Sequence, residues 1–505
     1  MMSAVAHPLM NDNSGVKPVS TLALDIGTSS VRAGVYDADG YEISGTAVNL
    51  EREFHATSAG SAEYDANEAI EQVASLVDVV LDRASTIAAE IEIVAISCFW
   101  HSLVGLNQDD KPITPVLGWA DTRAEGMVRE LQHSFDEPEV HTRTGCRFHP
   151  SYWPAKLLWL QQHDAPVYTN IVRWVSLSEL ILQQFFGKTA ISVSMASATG
   201  LFDQRSCNWD EALLEHLGVG LAQLPRIAND GEYFSGLLPK YAERWPRLNK
   251  ARWFPAIGDG AANNIGAGCV TQDRAALMIG TSGAMRVMWQ GPVPETIPSE
   301  LWCYRADRKR VVVGGALSDG GGLFQWMKSA FAPDVGEVEL ERALGAMQPD
   351  AHALTLLPFW AGERSTGWHA SARGAIIGLT QDTEPLEIVR ASMEAVAYRF
   401  ACIARVLDQF APNSSIVASG GALNSSPVWT QIIADVLGRP VSLSNANEAS
   451  SRGAVLLALE MEGRIRDIAD VPVSIESTYE PDMANHARYC VGLERQEKLY
   501  ATLIT

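Results

Sequence analysis

Two short segments of the chain carry residue types that bind phosphate, because each places the tetrapeptide Ile-Gly-Thr-Ser between apolar runs. The segments are "DIGTSSVRAGVYD" and "LMIGTSGAMRVMW", about half a chain apart. The backbone N–H groups and hydroxyls of such turns donate to phosphate oxygens, although Gly, Ser and Thr also favour ordinary turns. The repetition predicts a phosphate chain held from both sides. The predicted contacts are Gly27, Thr28, Ser29, Ser30, Gly280 and Thr281.

An acid precedes only the first of these turns. Asp25 stands directly before it, whereas Met278 occupies the matching position of the second turn. A metal ion that bridges phosphates needs a hard oxygen ligand nearby, and one such anchor is enough. We therefore predict that Asp25 holds Mg²⁺ directly or through water. The alternative is an acid bonded to the N–H groups of its own turn, which we favour less because acids are uncommon inside apolar strands.

A second acid, Asp259, lies between two glycines and before the small-residue run "AANNIGAG". Such a carboxylate is either a helix N-cap or a reactive group in a cleft, and one residue can do both. Close to bound phosphates, a carboxylate can accept the proton of a substrate hydroxyl. We predict that Asp259 is the general base and a second metal ligand.

The first turn needs a sheet that positions it. Three strand-like runs, 21–26, 31–36 and 41–49, are joined by short turns and predict an antiparallel meander. An amphipathic helix is predicted over 66–90, because its apolar residues recur every three or four positions. The apolar run at 91–97 predicts a further, buried strand. This order of elements is typical of an α/β domain.

The second half of the chain repeats this order loosely. Strands are predicted around the second turn and in "RVVVGGAL", and helices near 320–330, 337–347 and 384–410. Alternating strands and helices follow, up to "RGAVLLALEMEG". We predict two related α/β domains, residues 19–256 and 257–490, which face each other across a ligand-binding cleft.

Composition narrows the class of protein. The chain has 505 residues, enough for two domains, and its 60 acidic and 39 basic residues give a net charge of −21. Because this surface repels polyanions, we expect no nucleic-acid partner. The seven scattered cysteines are typical of reduced thiols. The first 20 residues contain no leader-like pattern, and no apolar run reaches the ~18 residues of a membrane helix, so we expect a cytoplasmic protein without a membrane partner.

Two other nucleotide-binding motifs fail in detail. The segment "GKT" at 187–189 ends like a P-loop, but Leu182 stands where that motif requires glycine. The segment "GDGAANNIG" is not a dinucleotide-binding fingerprint, because Asn263 replaces its third glycine. A dinucleotide-dependent oxidoreductase is therefore excluded.

Taken together, the motifs resemble the FGGY family of carbohydrate kinases, within the actin-like ATPase group, over nearly the whole chain. The two Ile-Gly-Thr-Ser segments resemble its phosphate motifs, and "SGGALNSSPVWTQIIADVLGRPV" resembles its adenosine motif. "PFWAGERSTGWHASARGAIIGL" resembles the signature segment, although relatives usually have Pro where Thr366 stands. The resemblance implies an α/β fold of two duplicated actin-like (ribonuclease H-like) domains with an interdomain catalytic cleft.

The resemblance also implies roles for particular residues in a kinase that uses ATP and Mg²⁺. Asp259 takes the general-base position and Asp25 the magnesium-linked position, while Thr28 and Thr281 contact phosphates. Four residues are expected at the nucleoside: Gly321, Gln325, Gly421 and Asn424. Four others are expected at the sugar, two of them in "WADTR": Trp100, His101, Asp121 and Arg123.

The resemblance extends to the substrate. "TGCRFHPSYWPAKLLWL", "WHSLVGLNQDDKPITPVLGWADTR" and "ASATGLFD" are similar to segments of gluconate kinases. The carboxylate of an aldonate needs fixed cations or donors, for which Arg147, His149 and Lys156 are the candidates. The alternative that Arg147 and Lys156 are surface charges has equal weight. The resemblance makes gluconate the best single candidate for the substrate. The alternatives are a pentulose (xylulose or ribulose) and, less favoured, a non-catalytic nucleotide switch, and homodimer formation stays open.

Overall fold

The computed structural model describes residues 19–52, 55–57, 60–86, 90–445 and 448–504. Residues 1–18, in which we expect no signal peptide, lie outside the described residues, as does the stretch 87–89 of the first predicted helix. None of the helices in the described ranges has the length and apolar character needed to cross a membrane.

The strands, in chain order, are β1 Val19–Ile26, β2 Ser30–Tyr36, β3 Val48–Glu51, β4 His55–Ala56, β5 Ala62–Tyr64, β6 Glu90–Cys98, β7 Val104–Leu106, β8 Val116–Leu117, β9 Arg173–Val175, β10 Phe202–Asp203, β11 Asn208–Trp209, β12 Arg252–Trp253, β13 Ile257–Gly258, β14 Arg274–Ile279, β15 Gly283–Gln290, β16 Trp302–Arg305, β17 Arg310–Leu317, β18 Thr355–Leu357, β19 Ala375–Ile377, β20 Ser415–Ser419, β21 Val441–Ser444 and β22 Ile475–Tyr479.

The α-helices are α1 Ala66–Arg83, α2 Glu125–Ser134, α3 Glu137–Thr144, α4 Trp153–His163, α5 Ala165–Tyr168, α6 Leu177–Phe186, α7 Val193–Ser197, α8 Glu211–Leu217, α9 Pro239–Arg244, α10 Asp259–Gly266, α11 Gly321–Phe331, α12 Glu337–Ala346, α13 Pro385–Leu407, α14 Gly421–Ser425, α15 Pro427–Leu437, α16 Ala449–Met461 and α17 Met483–Leu503. Short 3₁₀ turns lie at Ala84–Thr86, Leu221–Gln223, Pro246–Leu248 and Ile468–Asp470.

Both halves of the chain are built on a mixed sheet with the same strand order. In the first sheet, β3-β2-β1-β6-β12, strand β1 is antiparallel to β2 and parallel to β6. In the second sheet, β16-β17-β15-β14-β20-β21-β22, strand β14 is antiparallel to β15 and parallel to β20. Strands β14, β15, β17, β20 and β21 therefore repeat β1, β2, β3, β6 and β12. The predicted duplication of an α/β fold is confirmed.

The helices cover these sheets for reasons that are visible in the sequence. Helix α1 begins after Asp65, whose side chain accepts hydrogen bonds from the backbone N–H groups of Asn67 and Glu68. Its buried face packs Val73 and Val77 into the core of the first sheet. Burial of each such side chain contributes about 1.5–3 kcal/mol. In the second half, the 23-residue helix α13 supplies much of the core in the same way.

Two predicted elements are shorter than expected. The strand predicted over 41–49 is limited to Val48–Glu51, because Gly45 adopts a φ of 84° and turns the chain. The hydroxyl of Thr46 then accepts a hydrogen bond from the backbone N–H of Val35 at 2.9 Å. The helix predicted over 66–90 ends at Arg83, and a 3₁₀ turn follows it.

Two helices tie the halves together. Helix α16 follows strand β21 of the second sheet, yet it packs on β1, β2 and β6 of the first. It also packs against α10 with almost no space between the two backbones. A Cβ atom on Gly453 would lie 1.8 Å from the carbonyl oxygen of Ala262, and one on Gly266 would lie 1.8 Å from that of Ala449. Because the first core includes a helix of the second half, the division at residue 257 stays a prediction.

We expect Gly453→Ala to lower the free energy of unfolding by about 1–3 kcal/mol, because the added methyl group must push α16 away from α10. Activity should fall as well, since α10 begins at Asp259. The control is Gly126→Ala in α2, where a Cβ atom would meet nothing within 4 Å, and which should be neutral or slightly stabilising. Denaturant unfolding of both variants measures the difference. Equal stability of the two would contradict the close packing of α10 on α16.

Candidate active site

The two Ile-Gly-Thr-Ser turns lie on one cavity, although they come from different halves of the chain. This cavity, which we name the phosphate cleft, has a volume of about 850 Å³. Its wall includes the following predicted residues: Asp25, Gly27, Thr28, Ser29, Ser30, Asp259, Gly280, Thr281, Gly421 and Asn424. The structure therefore brings together both turns, both acids and two of the four residues predicted at the nucleoside.

Each turn leaves backbone donors available to a ligand. The turns are closed by hydrogen bonds from Gly27 N to Ser30 O and from Gly280 N to Ser282 O, both 2.9 Å long. Within the described part of the chain, the backbone N–H groups of four turn residues have no hydrogen-bond partner: Thr28, Ser29, Thr281 and Ser282. Such paired sets of free N–H groups suit the oxygens of a phosphate chain.

Asp25 ends strand β1 inside the cleft and is only 5% exposed. Burial raises the pKa of its carboxyl group to about 7; the Ser97 hydroxyl and Arg32 oppose this rise, and the carboxylates of Asp259 and Glu448 add to it. Arg32 lies between two of these acids, with its Nη1 atom 3.8 Å from Asp25 and 3.2 Å from Glu448. The cleft therefore concentrates negative charge beside the turns.

Asp259 is the first residue of α10, and Gly258 is its N-cap. The carboxylate accepts a hydrogen bond from the backbone N–H of Gly260 at 2.7 Å. Both flanking glycines are required, because the indole ring of Trp100 lies against the backbone on either side. A Cβ atom on Gly258 would lie 1.7 Å from Trp100 Nε1, and one on Gly260 would lie 2.4 Å from Trp100 Cζ3.

The environment of Asp259 suits a proton acceptor. Burial raises the pKa of this carboxyl group above its ordinary value, while Arg286, the Gly260 N–H group and Arg364 act in the opposite direction. A carboxylate whose pKa lies above its usual range binds a proton more readily near neutral pH, which favours general-base catalysis.

A smaller cavity of about 70 Å³, which we name the inner cavity, adjoins the phosphate cleft and shares Trp119, Asp259, Met278 and Ser282 with it. Its walls are largely aromatic. The rings of Trp302 and Tyr304 stack with centroids 4.1 Å apart, and Trp100 meets Tyr304 edge-on at 5.1 Å. The hydroxyls of Tyr152 and Tyr304 are hydrogen-bonded at 2.6 Å. Apolar ring faces combined with a few polar groups are typical of small-molecule sites.

His101, which was predicted at the sugar, lines this inner cavity. Its Nδ1 atom lies 2.6 Å from the carbonyl oxygen of Ala198, so it carries the proton and donates. Burial lowers the pKa of the imidazole well below its ordinary value. His101 is therefore neutral, and its Nε2 atom is left as an acceptor for a substrate hydroxyl.

The three residues predicted to hold a carboxylate lie outside the inner cavity. Arg147 is paired with Glu137, with Nε–Oε1 and Nη2–Oε2 distances of 2.8 and 3.0 Å. Lys156 is not a surface charge either, because it is 1% exposed and its Nζ atom donates to the carbonyl oxygens of His101 and Ser151 at 2.8 Å. His149 contacts the Ser151 hydroxyl through Nδ1 at 3.0 Å. None of the three lines the inner cavity, so none of them is proposed below as a ligand of the carboxylate.

The charged residues of the predicted polar wall in "WADTR" are also bonded to other residues of the protein. The Nε atom of Arg123 lies 3.1 Å from both carboxylate oxygens of Asp121, and its Nη2 atom donates to Asp121 Oδ2 at 2.6 Å. Arg123 pairs with Glu63 as well. Neither Asp121 nor Arg123 is among the described residues that line the phosphate cleft or the inner cavity. Trp119 of the same segment does, and its Nε1 atom donates to the Thr28 hydroxyl at 3.0 Å. This segment therefore positions the first turn rather than forming a polar wall.

Two of the residues predicted at the nucleoside have a different position. Gly321 is buried, and its N–H group donates to the carbonyl oxygen of Gly280 at 2.8 Å. Gly321 therefore holds the second turn in place through this backbone hydrogen bond. Gln325 lies one turn further along α11, on the exposed face and away from the wall of the phosphate cleft.

Comparison with known proteins agrees with this geometry. The model of the FGGY family of carbohydrate kinases, N-terminal domain, matches residues 20–266, and that of the C-terminal domain matches residues 275–461. The chain belongs to this family. The predicted activity class, a carbohydrate kinase, is thereby confirmed.

Relatives of this FGGY kinase act on more than one acceptor. It is 27% identical to the gluconokinase of Bacillus subtilis over 474 residues, covering 91% of this chain and 90% of the relative. Two structures from Lactobacillus acidophilus each cover 96% of this chain and 98% of their own, at 26% identity. They are a ligand-bound xylulose kinase with a TM-score of 0.88 and a gluconate kinase with a TM-score of 0.87.

The signature segment of this FGGY kinase docks on strand β17. Ser365 forms two hydrogen bonds with the backbone of Ala316, at 2.9 and 3.0 Å, one of them through its side chain. The hydroxyl of Thr366 accepts a hydrogen bond from Arg399 at 2.8 Å. This anchoring places the neighbouring residues Arg364 and Trp368 on the inner cavity.

Several wall residues of the inner cavity were not predicted from the sequence: Tyr152, Arg286, Trp302, Tyr304, Arg364 and Trp368. One of them carried a usable signal. Arg286 is a charged residue within the buried strand β15, and an ionised side chain in such a position requires a specific partner. The aromatic residues gave no comparable signal, because buried aromatic rings are common in any core.

Proposed function

We propose that this FGGY kinase transfers the γ-phosphate of ATP to a hydroxyl group of a sugar acid, with gluconate as the best single substrate. The position of Asp259, which lines both the phosphate cleft and the inner cavity, carries this proposal. A nucleotide whose phosphates lie on the two turns and an acceptor in the inner cavity would meet at this carboxylate. Gly421 and Asn424 are the proposed contacts of the nucleoside.

The residues around Asp25 suit Mg²⁺. Asp25 is buried, and the neighbouring Asp259 and Glu448 raise its pKa, so a cation would relieve the repulsion among the three acids. Mg²⁺ usually keeps several waters and takes one or two carboxylates, which fits Asp25 as an anchor directly or through water and Asp259 as a second ligand. When bound, the ion would neutralise charge on the phosphate oxygens.

In the proposed reaction, Asp259 accepts the proton of the acceptor hydroxyl. The hydroxyl oxygen forms a bond to the γ-phosphorus while the bond from that phosphorus to the β,γ-bridging oxygen breaks, and ADP leaves with the bonding electrons. The free N–H groups of the turns donate to the phosphoryl oxygens as charge develops there. Closure of the cleft would exclude water from this transfer.

A pentulose, xylulose or ribulose, is the second candidate acceptor. The inner cavity is compatible with it, because aromatic walls and a neutral His101 suit the hydroxyl-bearing chain of a pentulose as well as that of an aldonate. A non-catalytic nucleotide switch is least favoured, because such a protein needs no carboxylate at the junction of two cavities.

Release of ADP from Mg·ATP with gluconate, other aldonates, pentuloses, hexoses and polyols, each assayed singly, tests this proposal. We expect the largest kcat/KM with gluconate. A preference for a pentulose would transfer the proposal to a ketose kinase with the same base. If no acceptor responds while ATP still binds, the catalytic proposal fails.

A further inference from the structure

One arginine that lines the inner cavity has no ion-pair partner and few hydrogen bonds among the described residues. Arg286 lies on β15 and is 4% exposed. Among the described residues, its Nε atom has no hydrogen-bond partner, and it forms no ion pair within 4 Å. Its Nη1 atom reaches only the side-chain oxygens of Asn263 and Asn264, both at 3.5 Å. A buried guanidinium in this state is costly unless a ligand completes its hydrogen bonds.

A second guanidinium faces the same cavity. Arg364 stacks over the ring of Trp119 at 4.5 Å and donates from Nη2 to the carbonyl oxygen of Leu317 at 3.0 Å. Its Nε atom has no partner in the described ranges, and no carboxylate is paired with it there. Two arginines that line one small cavity therefore each have a buried Nε–H group without a partner among the described residues.

The charges around the inner cavity do not balance. Its ionised lining residues are Arg286, Arg364 and the single acid Asp259, while His101 is neutral. The excess is one positive charge. A neutral acceptor would leave this excess uncompensated in a cavity of low polarity. An acceptor with one negative charge would balance it.

Bound nucleotide does not account for these arginines. The phosphate cleft has basic residues of its own, Arg32 and Arg373, and neither Arg286 nor Arg364 lies on its wall. The two unpaired guanidinium groups lie on the acceptor side of Asp259.

We propose that Arg286, assisted by Arg364, binds the carboxylate of the acceptor and thereby selects an aldonate over a neutral sugar. This inference rests on the proposed function, because it assumes that the acceptor occupies the inner cavity. Guanidinium groups suit the task, since their N–H groups match the two oxygens of a carboxylate. The role assigned from the sequence to Arg147, His149 and Lys156 passes to these two residues.

The test compares gluconate with glucitol, which has the same carbon chain with a CH₂OH group in place of the carboxylate. Binding of each to the full-length protein with Mg·ADP is measured by titration calorimetry, and the KM values for gluconate and ATP are measured in parallel. In wild type, gluconate should bind at least tenfold more tightly than glucitol. Arg286→Gln should weaken gluconate binding about 10–100-fold, leave glucitol binding within threefold and leave the KM for ATP unchanged. Arg364→Gln should act in the same direction with a smaller effect.

The matched control is Arg147→Gln, which removes an arginine paired with Glu137 outside the cavity and should leave both affinities unchanged. If Arg286→Gln does not fold, Arg286→Lys and Arg364→Gln give the same comparison. A raised KM for ATP with unchanged gluconate binding would assign these arginines to the phosphates and overturn the inference. If wild type phosphorylates gluconate but the variants bind it normally, only this inference fails. If wild type accepts only neutral sugars, the proposed acceptor fails and this inference fails with it.

Discussion

Asp259→Asn is expected to lower kcat by about 10²–10⁴-fold, the usual contribution of a positioned general base. The amide has nearly the same shape, so its oxygen can still accept the hydrogen bond from Gly260 N–H. It cannot take up the proton of an acceptor hydroxyl. Trp100, which packs on both flanking glycines, should keep its position because no atom is added there.

Nucleotide binding separates this loss from misfolding. In the absence of Mg²⁺, the variant should bind ADP with an affinity within a few-fold of wild type, because the turns that carry the free N–H groups are unchanged. Asp82→Asn on the exposed side of α1 is the control and should keep full activity. A kcat for Asp259→Asn within threefold of wild type would contradict the assignment of the base.

The position of both turns on one cleft could be predicted from the sequence because its determinants are local, whereas their contact with phosphate stays a prediction. Each turn is a run of consecutive residues between two strands, so the tetrapeptide specifies both the turn and its donors. Asp25 could be found for the same reason, since it adjoins its turn. The predictions for Gly321 and Gln325 were less accurate. A helix that begins at the second turn presents only some of its residues to the cleft.

The walls of the inner cavity could not be predicted, because strand register brings their residues together. Arg286 on β15 and Trp302 on β16 both pair with Gly314 of the strand between them. A Cβ atom on Gly314 would lie 2.9 Å from both side chains, so glycine there permits them to approach each other. The register of β15, β16 and β17 cannot be determined directly from a single sequence.

The charges around "TGCRFHPSYWPAKLLWL" illustrate a related limit. The sequence shows that a Lys or Arg is present, but the role of that residue depends on the group with which it pairs in the fold. Arg147 is paired with Glu137, ten positions away, and Lys156 supports two backbone carbonyls. Both residues stabilise the fold beside the inner cavity without facing it.

Asp25→Asn should lower the activity of the enzyme and raise the stability of the metal-free protein. If Asp25 anchors Mg²⁺, its loss should lower kcat by about 10²–10³-fold, comparable with removal of a main electrostatic stabiliser. In metal-free protein the same change should raise the free energy of unfolding at pH 8 by about 2–4 kcal/mol, because it removes a buried charge near Asp259 and Glu448.

The pH dependence follows from the sign of the pKa change. The folded protein raises the pKa of Asp25 from its ordinary 3.8 to about 7. Above pH 7 the carboxyl group is ionised in both folded and unfolded chains, and wild type bears the full cost of the buried charge. As the pH falls from 7 towards 3.8, the folded protein holds a proton that the unfolded chain lacks, so this cost disappears. The stability difference between Asp25→Asn and wild type in EDTA should therefore be largest at pH 8 and small near pH 4. A difference that is the same at both pH values would show that burial of charge is not its cause, and wild-type turnover in the variant would place the metal anchor elsewhere in the cleft.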